Sequence, residues 1–520
     1  MSSRLPFLPV ALGTLGILLL GGCAVGPDYH RPDAPVPTAF KEAGGLPGSI
    51  AWQPAQPKDG TPGNKGKWWE VYHDPVLNAL EEQVAISNQN VLYYDALYRE
   101  AKATIGVARA AGMPNLTASP SVTQTHSGGG AGGANGVNGN GGSGGNSNNY
   151  ASSSTETAIP VDASWTIDIW GEVRRNIEEN AANAQAAQAN LINAQLSYQS
   201  TLAQDYFNLH GLDAQEASMQ ASVTSYQKFV QLTQNQYNSG IVSRADVASA
   251  QAELTGAQAE LVDTAIQRAQ YEHAVAVLTG RPPADLTIKD VPLTVKPPAI
   301  PLSLPTTLLE RRPDVASAER STASANAAIG VAVAAFYPTL TLSGSVGYES
   351  YQLSQLFSGP SFFWSVGPTL AQTLFDGGLR HSEAQEARAA YDATVATYRQ
   401  TVLTAFQQVE DDLVALGHLE QEQKIEEETV NEAQTALNVT LNGYQAGTDT
   451  YLQVITAQNV LYTAQINVIK IRTERMVDSA LLIEALGGGW DQDQITPLHG
   501  ATPLQPAPAP PAKTTADAGH

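Results

Sequence analysis

One thiol stands in the 520 residues, Cys23, directly behind Leu20-Gly21-Gly22. A lone cysteine closes no internal disulfide, so its chemistry is confined to its own sulfur. The remaining reactive side chains are not spaced for catalysis. The chain carries no HExxH, no Walker loop, no G-x-S-x-G and no metal-spaced His/Cys cluster, and its nine histidines are scattered. The glycine-rich run 127–149 is long, uncharged and lies between two strand patterns; phosphate-cradling loops are short and lead straight into a helix. Fifty acidic against 28 basic residues give a net charge of −22. That balance opposes nucleic-acid binding, which needs clustered Lys and Arg, and favours cations in any lumen the chain lines. The sequence therefore reads as one with no enzyme chemistry and no cofactor site.

The elements that must hold such a surface are written twice. Residues 105–122 (IGVARAAGMPNLTASPSV) and 329–346 (IGVAVAAFYPTLTLSGSV) repeat one text at an offset of 224. After each proline comes period-two alternation, the mark of a strand with one apolar and one polar face. Leu116, Ala118 and Val122 alternate with Thr117, Ser119 and Ser121, and Leu340, Leu342 and Val346 with Thr341, Ser343 and Ser345. A second strand follows in each copy, PVDASWTIDIW and FFWSVGPTLAQTLF, giving hairpins over 115–170 and 339–375. Their strands run about ten residues, the length that crosses an outer membrane when tilted. Trp165, Trp170, Trp364 and Phe375 are expected to form the membrane-facing belt and its lower edge.

Helix takes over behind each hairpin. Gly171 to Tyr237 holds no proline and almost no glycine, and at 1.5 Å per residue predicts a rod of roughly 100 Å. Both rods turn in matching text, YNSGIVSRADVASAQAEL (237–254) and YQAGTDTYLQVITAQNVL (444–461), at an offset of 207. Tyr237 and Tyr444 pair, and Gly240 and Gly447 sit where a left-handed helix-ending residue belongs. Each copy reads helix, strand, strand, long helix, tight turn, helix. The organisation is a signal peptide (1–22), an N-terminal extension (23–67), a first repeat (68–280), a linker (281–312), a second repeat (313–490) and a Pro/Ala-rich tail (491–520). Four membrane-length strands cannot close a barrel, and an open edge in lipid strands backbone groups at several kcal/mol each. Other copies of the chain must complete it. Two copies give eight strands and a filled interior, whereas three give twelve and a lumen.

CAVGPDYHRPDAPVP, KWWEVYHDPVLNALEEQV, LERRPDVASAE, LFDGGLR and ALGGGW resemble the outer-membrane factors, the TolC-like exit ducts of tripartite efflux pumps. They are closest to the NodT-type lipoprotein branch serving resistance-nodulation-division exporters. The resemblance covers about residues 20–490 and implies an α+β membrane protein. It would be a homotrimer with a twelve-stranded transmembrane β-barrel continued by a long periplasmic α-helical barrel, built on an internal two-fold repeat. A periplasmic adaptor, an inner-membrane efflux pump and outer-membrane lipid are the implied partners. The family's gate lies at the two helical turns, which carries over to Asp246, Asp449, Leu452, Gln453 and Thr456. The second copy departs from the pattern, with Gln453 and Thr456 where the family has carboxylates. A type I protein-secretion duct is the near alternative and a trimeric surface adhesin the distant one.

Leu20-Gly21-Gly22-Cys23 resembles the lipobox of bacterial lipoproteins, which implies a lipid on Cys23 as the first mature residue. Cys23→Ser is expected to abolish incorporation of radiolabelled palmitate. Labelling that survives the substitution would contradict this assignment.

Overall fold

The computed structural model describes residues 24–42, 67–127, 152–293, 296–298, 310–490 and 492–500. The signal segment, Cys23, most of the glycine-rich run and the tail from residue 501 lie outside these. Two short helices open the first copy, α1 (Pro75–Ser87) and α2 (Gln89–Ala110), followed by β1 (Asn115–Ala118), β2 (Ser121–Ser127) and β3 (Ser152–Ile167). The long helix α3 (Glu172–Asn238) and its return α4 (Arg244–Leu278) complete that copy. The second runs α5 (Pro313–Ala334), β4 (Thr339–Ser350), β5 (Phe362–Ala371), α6 (Leu379–Ala446) and α7 (Tyr451–Ala485). The long helices hold 67 and 68 residues and both return helices 35. Among the described residues, no helix is long and apolar enough to cross a membrane.

The chain divides into two compact units: residues 1–28, 103–180 and 325–390, and residues 29–102, 181–324 and 391–520. The first holds the sheet. It is antiparallel throughout, with order β1-β3-β4-β5 and β2 continuing beside β3. β3 pairs with β4, so the two hairpins lie side by side. The strand expected from residue 116 onward is interrupted at Ser119–Pro120, because Pro120 has no N–H to give the ladder. The register passes through unchanged, from Ala118 opposite Val161 to Ser121 opposite Ala158.

The hairpins also end earlier than their alternation suggests. β3 stops at Ile167 because Asp168 turns to cap α3, accepting from Val173 N–H (3.2 Å) and Arg174 N–H (3.1 Å). β5 stops at Ala371, and Asp376 takes the matching role, accepting from Gly378 N–H at 3.0 Å and from Arg380 Nε. A carboxylate at a helix start satisfies orphan N–H groups and meets the positive end of the dipole. Asp168, Thr373, Leu374 and Phe375 therefore lie past the strand ends, within the hairpin bounds expected from the sequence.

The N-terminal strap is tied into this same unit. Arg175, nearly buried, reaches Asp28 Oδ1 at 2.9 Å and Val25 O at 3.2 Å, and Asn326 donates to Pro27 O at 3.0 Å. Gly26 has φ +97°, and a Cβ on it would sit 2.5 Å from the Cα of Gly330, so the backbones touch only because both residues are glycine.

In the second unit the core gathers Trp68, Trp69, Tyr72, Leu77 and Val84 against Leu202, Phe207, Tyr398, Val409 and Met476. Fully buried Arg320 forks onto both oxygens of Glu319, which also accepts from Tyr29 Oη at 2.6 Å. Breaking such a pair leaves a buried charge uncompensated. Beside the core lies a strained electrostatic cluster on α6 and α7. Burial, reinforced by the negative charges of Asp478, Asp411 and Glu484 against the opposing Arg312, pushes the Asp412 carboxyl up to about 7. Burial first and Glu474 second push Asp478 to about 6.

These raised values fix the sign of a pH dependence. An acid that holds its proton longer when folded stabilises the fold fully below its unfolded pKa of about 4. That contribution disappears as pH rises through the folded value of about 7. Asp412→Asn is expected to raise the thermal midpoint at pH 8 by a few degrees and to flatten its decline above pH ~4. A midpoint whose pH dependence matches the wild type would show that Asp412 ionises freely in the folded state.

Candidate channel-lining face and helical tip

Over its middle rows, register divides the sheet into an apolar and a polar face. Ile159, Val161 and Trp165 of β3 lie opposite Tyr348, Val346 and Leu342 of β4, which lie opposite Phe362, Trp364 and Pro368 of β5. This is the apolar face, and it is bare: Leu116, Val122, Trp364, Val366 and Leu370 are 66–70% exposed. So large a contiguous apolar surface marks contact with lipid or protein. The other face carries Thr117, Ser121, Thr123, Asp162, Ser164, Thr166, Thr341, Ser343, Ser345 and Ser365. Glu156 and Glu349 lie on it too, with their carboxyls in hydrogen-bonding contact. Its described residues include no Lys, Arg or His, so the polar face is anionic. Glu156 and Glu349 lie beyond the clearest stretches of alternation, which begin at Val161 in β3 and end at Val346 in β4.

The four aromatics assigned to a belt divide in two. Trp364 stands out from the apolar face, and Trp165 lies on that face with Nε1 bonded to Gly112 O at 3.0 Å. Trp170 sits past the end of β3, stacked on Tyr337 at 4.7 Å and donating to Pro338 O at 2.8 Å. Phe375 lies past β5 and is 89% exposed.

At the far turns the two copies superpose in detail. Gly240 and Gly447 have φ +71° and +79°. Ile241 N–H reaches back to Gln236 O, and Thr448 N–H to Gly443 O, each at 2.9 Å. This is the helix-closing pattern that a left-handed residue permits. Each return helix then opens with a capping box. Asp246 Oδ2 accepts from Ser243 N–H and Oγ–H at 2.8 Å, while Gln453 Oε1 accepts from Thr450 N–H at 2.6 Å and Oγ1–H at 2.9 Å. Asp246 and Gln453 thus do the same local work, one with a charge and one without. Leu452, Gln453 and Thr456 are exposed, whereas Asp246 and Asp449 are half-buried. Behind them Phe229, Ala250, Tyr444, Tyr451 and Val454 form a small core. Tyr444 Oη bonds Gln236 Oε1, and Tyr226 Oη donates to Asn459 Oδ1 at 2.8 Å, joining first-copy helices to second-copy ones. Tyr237 is exposed and takes no part in that core.

The family model for outer membrane efflux proteins matches residues 80–281 and 304–488. This chain belongs to that family. It is 29% identical over 481 residues to the toluene efflux pump outer membrane protein TtgC of Pseudomonas putida, covering 91% of this chain and 94% of that one. Nodulation protein T of Rhizobium leguminosarum is 27% identical over 478 residues, with 91% and 96% covered. Among solved structures, the outer-membrane channel OprN is 27% identical, covers 90% of this chain and all of its own, and has a TM-score of 0.78. The fold is that of the TolC-like outer-membrane channels, and the related proteins are channel components of efflux systems.

Proposed function

We propose that three copies of this chain form an outer-membrane exit duct for small molecules, fed by a periplasmic adaptor and an inner-membrane pump. The observation that carries this reading is a sheet four strands wide, β1 and β2 sharing one margin, with one bare apolar face, one anionic face and two unpaired edges. Among the described residues β5 pairs only with β4, and β1 and β2 pair only with β3. Three such sheets joined edge to edge make a twelve-stranded barrel, apolar toward lipid and Ser/Thr/Asp/Glu toward water. Trp364 and Trp165 then face the bilayer, with Trp170 and Phe375 marking its lower edge. The efflux names of the relatives favour small molecules over secreted protein as cargo. The lipid on Cys23 is a second attachment to the membrane beside the barrel, and no cofactor takes part.

The helical turns are the gate in this reading. Asp246 contributes three like charges around the axis of the trimer. Leu452, Gln453 and Thr456 from the second copy contribute an uncharged constriction, with Asp449 in the adjoining turn. Half a carboxylate ring holds multivalent cations less firmly than a full one.

Conductance of the purified trimer in a planar bilayer tests both halves of this proposal, with hexamminecobalt added on the periplasmic side. Asp246→Asn keeps the capping acceptor and removes only the charge, so it is expected to weaken the cation block. Gln453→Glu keeps the same box and adds a charge, so it should deepen the block. Absence of any conductance would overturn the duct, and block unchanged in both variants would remove these turns from the aperture.

A further inference from the structure

Within the second unit lies a cavity of about 360 Å³. That volume falls in the range of small-molecule sites. Its walls come from three distant stretches of sequence. Tyr72 to Val76 supplies one side, Tyr206, Phe207 and His210 of α3 the floor, and Ile288 to Leu293 of the inter-copy segment the other side. The last stretch is pinned in place: Ile288 N–H donates to Glu272 Oε1 at 2.6 Å, and Arg268 Nη2 donates to Ile288 O at 2.8 Å. Val291 N–H donates to Asp213 Oδ2 at 3.0 Å. His73, at the rim, is the one non-glycine residue with positive φ (54°) among the described residues, and such backbone gathers where a site is held in shape.

Apart from His73, Asp74 and Lys289, the cavity is lined by aromatic, aliphatic and proline side chains, with His210 on its floor. His210 is 6% exposed, and its ring meets that of Tyr206 edge-on at 4.4 Å. Its Nδ1 lies 2.8 Å from Asp213 Oδ2. Burial raises the Asp213 carboxyl, but hydrogen bonds from His210, Val291 N–H and Arg268 outweigh it and hold the group below the usual range. An ionised carboxylate only accepts, so Nδ1 carries a proton toward Asp213, and Nε2 is the polar atom of the ring left for the cavity. Nε2 has no partner among the described residues, although the ring lines the cavity. The other polar groups there are already committed or lie at the mouth. Tyr206 Oη donates to Asp74 Oδ2 at 2.7 Å, Asp74 Oδ1 caps α1, and Lys289 is exposed.

We propose that this cavity binds a small aromatic molecule bearing a hydroxyl group, the ring held between Tyr72, Phe207 and Leu293 and the hydroxyl donating to His210 Nε2. An apolar ring alone would leave His210 Nε2 without a partner. A charged ligand would lose hydration against walls that give little in return.

The test is fluorine NMR line broadening with the purified trimer in lipid nanodiscs, read against empty nanodiscs. Saturable binding of 4-fluorophenol is expected, with 4-fluoroanisole, which has no donor, and 4-fluorobenzoate each about tenfold weaker. His210→Phe should bring 4-fluorophenol down to the level of 4-fluoroanisole. Val76→Trp, at the half-exposed mouth, should weaken both without touching the buried ion network. Three results would overturn the proposal: no saturable binding by the wild type, equal affinity for phenol and anisole, or tighter binding of benzoate. If His210→Phe does not fold, 4-fluorophenol binding that is unaffected by Val76→Trp overturns it equally.

Discussion

Two rows of unpaired backbone groups govern this protein. β1/β2 on one side of the sheet and β5 on the other each offer N–H and C=O groups that nothing in the described chain receives. In water such edges are tolerable, but beside a bare apolar face they are not. If, as proposed, the face meets lipid, which supplies no hydrogen bonds, each edge must find another strand. The strand complement of a single chain is therefore a statement about assembly. A sheet four strands wide with an anionic face calls, on the proposed reading, for further copies in a number that leaves room for water.

The helices carry the same logic with different chemistry. They contain too much Gln, Asn, Ser and Thr for membrane spans, and they run through more than 65 residues without a break. Helices of that length gain their stability from packing against neighbours over their whole run. The tip shows how the two copies are bound into one object. Tyr226 and Tyr444 reach across from one copy to the other, and each return helix begins with the same box of side-chain bonds. Charge is then the main difference between the two tips, which makes Asp246 and Gln453 an internal comparison within a single fold.

Much of this architecture was legible because the chain writes it twice. The hairpins, the long helices and the glycine turns each declare themselves by periodicity, by missing proline or by repetition. The strand ends are hidden for a physical reason: Asp168 continues the alternating pattern, but a helix start claims an acid more strongly than a sheet face does, and Asp376 opens α6 in the same way just past the second hairpin. Asp246 shows the converse. Its sequence position marks the turn, and only the structure shows its carboxylate engaged with Ser243. The strap from Ala24 to Glu42 and the buried Glu319–Arg320 pair left no periodic trace, because they depend on contacts nearly three hundred residues apart in sequence. The His210 cavity is hidden for the same reason, its walls being drawn from residues 72–76, 206–210 and 288–293.

Closure of the sheet edges by other copies is the central claim, and cysteines placed on those edges address it directly. In a Cys23→Ser background, Thr117→Cys lies on β1 and Thr369→Cys on β5, at opposite margins of the same sheet. A short bis-maleimide added to the membrane-embedded double variant should link one copy's β1 to the next copy's β5. The ladder on a denaturing gel should stop at three, with neither single variant giving a trimer. A product that remains monomeric, or a ladder that runs past three, would contradict the account.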